Sequence, residues 1–258
     1  MSEEHVRVEI DEGVVVVTFD RPEARNALTF GMYEALAASC EDVREGRLEA
    51  SAVILSGAGG KAFAAGTDIS SFRDFDGAED ALAYERRMDR VLDSLERVPV
   101  PTIAAIRGAC TGGGAAIAAC CDLRIASPDI AFGFPIARTL GNCLSIGNLA
   151  RLVSLLGEAR TREIILTARL IGGEEARAIG LVTELVDDPL ARARELAVTM
   201  GAHAPLTMAA TKEGLRRLRE RSAEVDGDDL IVRCYTSADF REGMEAFLAK
   251  RKPAFRGE

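Results

Sequence analysis

Ala62-Phe63-Ala64-Ala65-Gly66-Thr67-Asp68-Ile69 and Arg107-Gly108-Ala109-Cys110-Thr111-Gly112-Gly113-Gly114-Ala115-Ala116 are two runs of small residues, each following a β-rich stretch. Small side chains let bare backbone approach a ligand. The second run opens an Ala-rich helix, whose first N–H groups have no intrahelical partners and are available as donors. Two N–H groups aimed at one carbonyl oxygen make an oxyanion hole. Taken alone, either run also reads as an ordinary turn or a helix packed through glycine.

Working outward, residues 6–10 and 14–19 are β-rich and joined by Asp11-Glu12-Gly13, which predicts a hairpin. Tyr33, Leu36, Ala37 and Cys40 recur at helical spacing, predicting an amphipathic helix over residues 29–44. Short apolar runs at 52–56, 102–106 and 123–126 suit buried strands separated by helices, which implies crossover βαβ units. Residues 72–80 are acidic and without periodicity; Tyr84, Met88, Val91, Leu92 and Leu95 then mark one face of a helix ending before Pro99. From about Asp187 only helical patterns remain, with Pro205 and Gly227 as breakers and Phe240, Met244, Phe247 and Leu248 on one stripe. Gly57-Ala58-Gly59-Gly60-Lys61-Ala62 nearly fits a dinucleotide-binding glycine pattern, but that reading needs a long helix immediately afterwards, and Gly66-Thr67-Asp68 interrupts it.

With 258 residues, 48% apolar and 28% charged, the chain reads as one large or two small soluble domains. It has no apolar run of about 18 residues and no basic-then-apolar leader, so no membrane partner and a cytoplasmic location are expected. The six cysteines form no C-x-x-C pair and read as buried free thiols, with no metal site. A net charge of −9 disfavours nucleic acid and would repel any polyanion. A polyanionic ligand would therefore need local cations, for which Arg25, Lys61 and Lys250-Arg251-Lys252 are candidates, although each also reads as a solvated surface charge.

The two small-residue runs, Asp20-Arg21-Pro22-Glu23-Ala24-Arg25-Asn26-Ala27-Leu28, Gly180-Leu181-Val182-Thr183-Glu184-Leu185-Val186 and the segment from Glu242 to Pro253 keep the order and rough spacing of one family. In these residues the chain resembles the crotonase superfamily, the enoyl-CoA hydratase/isomerase fold. The resemblance implies an α/β spiral of βαβ turns over residues 1–195, with the CoA-thioester site, and a helical trimerisation region over 196–258. It implies an oxyanion hole from the backbone N–H groups of Thr67 and Gly113. Ala24, Arg25, Ala64, Gly66, Asp68, Ile69 and Lys250 fall on CoA-binding positions; Asp68 also suits the cap of the turn that follows it. Coenzyme A would enter as part of the substrate, with no permanently bound cofactor, and the assembly would be a homotrimer or a hexamer. Neither His5 nor His203 matches a catalytic position of the family.

The resemblance breaks at the two glutamates that hydratases of this family use to handle a proton and water. Their positions fall on Ala116 and, after Pro135, on Ile136, and neither can move a proton. The loop 134–145 is polar for a stretch facing an acyl pocket: Arg138, Asn142 and Cys143 are candidate pocket residues, and Ser145 a candidate helix cap. Losing a general acid or base costs about 10²–10⁴-fold each. Isomerisation or decarboxylation of an acyl-CoA through a stabilised enolate is thus expected in place of hydration, in fatty-acid metabolism. A catalytically silent acyl-CoA binder and an RNA-binding member are the alternatives, the latter disfavoured by the acidic balance.

Overall fold

β2 (Val6–Asp11) alternates apolar and polar residues, whereas β3 (Val14–Phe19) is buried along its whole length. They pair antiparallel, with Val6 opposite Phe19, and turn through Glu12 (φ 48°) and Gly13 (φ 78°), the two-residue turn whose twist suits a hairpin. β1 (Ser2–Glu3) adds to the edge. The computed structural model describes residues 2–3, 5–73, 75–220 and 226–257.

The Thr29 hydroxyl accepts from the Met32 amide and starts α1 (Phe30–Arg44), which buries Met32, Tyr33, Leu36, Cys40 and Val43 at helical spacing. The chain then winds in repeated turns. β4 (Ala52–Gly57) leads to β5 (Ala62–Ala64) and α2 (Ala78–Glu96); β6 (Thr102–Ile106) leads to β7 (Ala109–Thr111) and α3 (Gly113–Cys120). β8 (Leu123–Ala126) leads to β9 (Ala131–Gly133), α4 (Ile136–Thr139), α5 (Ile146–Leu156), α6 (Glu158–Thr167) and α7 (Gly173–Ala178), before β10 (Glu184–Leu185).

Each turn gives its first strand to one sheet, ordered β1-β2-β3-β4-β6-β8-β10 and parallel from β3 onward, and its second strand to a smaller parallel sheet, β5-β7-β9. Side chains alternate across the large sheet. Val15, Val17, Val53, Leu55 and Ala104 join the main core beneath α1 and α3, while Val14, Val16, Ala52, Ile54 and Ile103 face Ala193 and Ala197 of α8 (Pro189–Gly201). Both faces are covered, as parallel sheets require.

The mixed α/β fold with a parallel sheet matches the expected class. The small sheet was not anticipated, because strands of three residues carry no period. The glycine pattern at 57–62 runs into β5 and not into a helix, which removes the dinucleotide reading. The acidic stretch 72–80 contains the end of a 3-10 turn (Ile69–Phe72) and the first turn of α2.

The expected division at residue 195 falls inside α8, which packs on β3, β4, β6 and β8. Beyond it come α9 (Pro205–Glu220), α10 (Asp228–Tyr235) and α11 (Ala238–Leu248). The stripe on α11 is divided between two environments. Phe240 is buried against Phe72 and Tyr235 of its own chain, whereas Phe247 is 55% exposed.

Candidate active site

Because β5, β7 and β9 are parallel neighbours, their C-terminal ends lie together, the side on which α/β sheets meet ligands. Residues 65–67, 112–113 and 134–136 leave those ends and line one cavity of about 220 Å³. This juxtaposes the two small-residue runs. Leu28 donates to the Gly66 carbonyl and accepts from the Asp68 amide, both at 2.8 Å. Bonding both neighbours of Thr67 to Leu28 leaves the Thr67 N–H on the other side of the segment. Gly66 holds φ at 103° to make this path, a region that residues with a Cβ rarely enter. Among the described residues, neither the Thr67 nor the Gly113 amide donates to a main-chain carbonyl.

Asn26, fully buried, braces this arrangement from below. Its Oδ1 accepts from the Arg21 amide at 2.9 Å, and its Nδ2 donates to the carbonyls of Ala58 and Ala62 at 3.0 and 2.8 Å. Asp68 caps the 3-10 turn through Ser70 and pairs with Arg21 at 2.5 Å. Partial burial opposes its ionisation, but the hydrogen bonds from Ser70 and Arg21 prevail and hold the carboxyl below its usual range. The Thr67 side chain has a structural task of its own. Its hydroxyl lies 2.8 Å from the Tyr33 hydroxyl and 3.0 Å from that of Tyr84, and burial raises both phenols, so they stay protonated. The Tyr33 hydroxyl also presses on Gly113: a Cβ there would collide with it and lie 3.1 Å from Thr67 Oγ1.

Ala116, Ile136, Asn142 and Cys143 all reach the cavity wall, as does Ile69. Arg138 does not. On the single turn of α4, Ile136, Thr139 and Leu140 face the cavity, so Arg138 points outward and is exposed. Ala64 also departs from expectation, since it is wholly buried beneath Gly114 of α3 and offers no surface to a ligand. Ala24 and exposed Arg25 flank the site, Arg25 accepting at its carbonyl from the Ala65 amide at 3.1 Å. Lys250 is exposed, three residues past Phe247 at the cavity rim. The Cys143 thiol donates to the Leu230 carbonyl at 3.5 Å. Its hydrogen bond with Cys234, together with burial, pushes it up, away from the thiolate a nucleophile needs. Ser145 caps α5 by accepting from the Asn148 amide at 3.2 Å.

From sequence, Tyr33 and Tyr84 read only as helix-face residues, and Glu85 and Tyr235 carry no assignment. Among the described residues, Glu85 is the one carboxylate on the cavity wall. Tyr235 donates to its Oε1 at 2.5 Å, and Asn142 Nδ2 donates to the Tyr235 oxygen at 3.0 Å. Burial pushes the carboxyl up to about 7, with the nearby charge of Asp89 adding to the effect and the Tyr235 hydroxyl and Ser145 amide opposing it. A signal for Glu85 was present: Ala81, Glu85, Met88, Leu92 and Leu95 are spaced 4, 3, 4, 3, which puts a carboxylate in the middle of the buried stripe of α2.

Residues 9–258 match the family model for enoyl-CoA hydratase/isomerase. The chain belongs to that family. A probable enoyl-CoA hydratase of Bacillus subtilis (strain 168) is 34% identical over 260 residues, covering 98% of this chain and 99% of its own. Among solved structures of this family, an enoyl-CoA hydratase/carnithine racemase from Magnetospirillum magneticum superposes with a TM-score of 0.80 at 36% identity, covering 100% of this chain and 97% of its own. A methylmalonyl-CoA decarboxylase in complex with 2-nitronate-propionyl-CoA is similar with a TM-score of 0.88 at 29% identity, each chain covered in full. Among the described residues no helix is long and apolar enough to cross a membrane.

Proposed function

We propose that this member of the enoyl-CoA hydratase/isomerase family processes an acyl-CoA thioester by a reaction other than two-glutamate hydration, with double-bond migration and decarboxylation as the fitting types. The Thr67 and Gly113 amides would polarise the thioester carbonyl and hold the enolate oxygen that forms as a C–H or C–C bond breaks. One such donor is worth about 10²–10³-fold in rate.

The observation that carries this reading is the cavity itself. Among the described residues, two amides that donate to no main-chain carbonyl flank a mostly apolar wall that includes Ala116 and Ile136, the residues that the sequence resemblance sets against the hydratase glutamates. Hydration requires one group to take a proton from water and another to deliver one to carbon; an apolar pair does neither. Similarity to a decarboxylase solved with a propionyl-CoA analogue supports the enolate chemistry. We also infer a homotrimer or a hexamer, with Phe247 and Leu248 among the exposed apolar residues that association would cover.

Calorimetry with acetyl-CoA and butyryl-CoA tests the ligand class, and no binding up to millimolar ligand would sink it. Crotonyl-CoA hydration is expected near background. The pair Ala116→Glu and Ile136→Glu should raise it, and brisk hydration by the unaltered protein would overturn the assignment of the two positions.

A further inference from the structure

We propose that Glu85 is the catalytic proton carrier of this cavity, exchanging a proton with the acyl chain of the bound thioester, and that Tyr235 and Asn142 are positioning residues that aim its carboxyl group. The assignment rests on the acyl-CoA reading above. It adds the acid-base group that reading lacks.

A carboxylate on the buried stripe of a helix is costly unless it is paired, and the obvious cation is committed elsewhere. Arg151 reaches Asp89 at 3.2 Å, Asp93 at 2.5 Å and Glu96 at 3.1 Å. Glu85 is held instead by a neutral donor, the Tyr235 hydroxyl, with the Ser145 amide nearby favouring the ionised form. Neutral donors orient a carboxyl group without locking it in the ionised form, so it can both take and return a proton. Asn142 supplies an independent observation. Its Nδ2 is used on Tyr235, while its Oδ1 is buried and, among the described residues, has no hydrogen-bond partner. Buried acceptors are rarely left unpaired, so a shift of the Asn142 side chain on binding would turn this oxygen toward a donor on the cavity's occupant.

The chemistry balances with one carboxylate. The Glu85 carboxylate takes a proton from the acyl α carbon, and the C–H electron pair moves onto the thioester oxygen, held by the Thr67 and Gly113 amides. Returning the same proton to the γ carbon of a 3-enoyl chain shifts the double bond into conjugation. Returning a solvent-derived proton to the α carbon gives isotope exchange.

The groups facing Glu85 are Tyr84 and Asp89 on α2, Tyr33 on α1, Tyr235 on α10 and Cys143 before α5. The three phenols and Cys143 are all raised and stay neutral. Cys234, adjacent to Tyr235 in sequence, is lowered to about 7 by its hydrogen bond with Cys143, so it needs a control.

The test uses the purified full chain with 3-butenoyl-CoA, followed by formation of the conjugated product, and butyryl-CoA in D2O, followed by α-deuteration. The unaltered protein should act on both, with a limb near pH 7 below which the rate falls. Glu85→Gln should lose at least about 10²-fold in kcat while binding butyryl-CoA within threefold of the original, which also shows that it has folded. Glu85→Asp should recover part of the loss. Tyr235→Phe removes a donor that favours the carboxylate, so the limb should move to higher pH, a change that a packing role would not produce. Cys234→Ser should leave the limb in place. A Glu85→Gln protein within threefold of the original rate overturns the proposal, as does an unaltered protein that binds butyryl-CoA yet neither isomerises nor exchanges. Failure of the unaltered protein to bind butyryl-CoA would instead overturn the acyl-CoA reading, and this assignment with it.

Discussion

Gly113 is confined above all by one oxygen atom. A Cβ at this position would collide with the Tyr33 hydroxyl, so Gly113→Ala must displace either the tyrosine or the start of α3, and with it the amide proposed as one oxyanion donor. Turnover should fall at least about 10²-fold. Removing the obstructing oxygen in Tyr33→Phe should let the double variant regain part of that loss, a positive coupling that a double-mutant cycle in kcat/KM would read. Two independent, additive losses would show that the hydroxyl is not what confines Gly113. Glu85 carries a pH signature in stability as well. Its carboxyl holds a proton more tightly in the folded chain, at about 7 against an ordinary 4.5. The folded state therefore binds the extra proton between those values, and stability falls as pH rises through that window. Glu85→Gln does not titrate, so its advantage over the original protein should be larger at pH 8 than at pH 5, by up to about 3 kcal/mol. Urea denaturation at the two pH values measures it, and an equal difference at both would contradict the account.

The elements that carry the site are short and are braced from outside themselves. β5 has three residues, and its neighbourhood depends on Asn26, whose amide group bonds the Ala58 and Ala62 carbonyls and the Arg21 amide. Asn26→Ala would leave these buried groups without partners, at about 1–3 kcal/mol for each that water does not reach. We expect a loss of about 2–4 kcal/mol in chemical denaturation, together with weaker acyl-CoA binding, because the strand precedes Gly66 and Thr67. A variant with unchanged stability would mean that water replaces the amide. α10 and α11 are similarly tied to α2, through Tyr235 on Glu85 and through Phe72, which packs edge-on against Phe75, Tyr84, Tyr235 and Phe240.

At the scale of the molecule, the C-terminal helices close one side of the cavity, yet they leave apolar surface uncovered. On α9, Leu215 and Leu218 are 64% and 67% exposed at i, i+3 spacing. Side chains of this size, in a chain whose sheet is already covered on both faces, fit association of copies, and closed symmetry is its usual form. Light scattering at micromolar concentration should give a trimeric or hexameric mass, and Leu215→Lys with Leu218→Lys should lower it if α9 lies in the contact. A monomeric mass for the unaltered protein would refute the assembly.

What the sequence by itself determined is whatever local periodicity and backbone freedom encode. The 6–19 hairpin, α1, the strands at 52, 102 and 123 and the small-residue runs at Gly66 and Gly112 were legible, because strand pairing, helix faces and positive φ each demand particular residues at short range. The small sheet was not legible, since three residues such as Ala-Phe-Ala hold no pattern until parallel neighbours select it. Arg138 shows the limit from the other side: its charge suggested a pocket role, but one turn of α4 decides which way a residue faces, and it faces out. Only tertiary structure placed Glu85 beside Tyr235, 150 positions away. A carboxylate on a helix reads as a solvated face until packing removes the water around it, and the removal of that water is what raises its proton affinity.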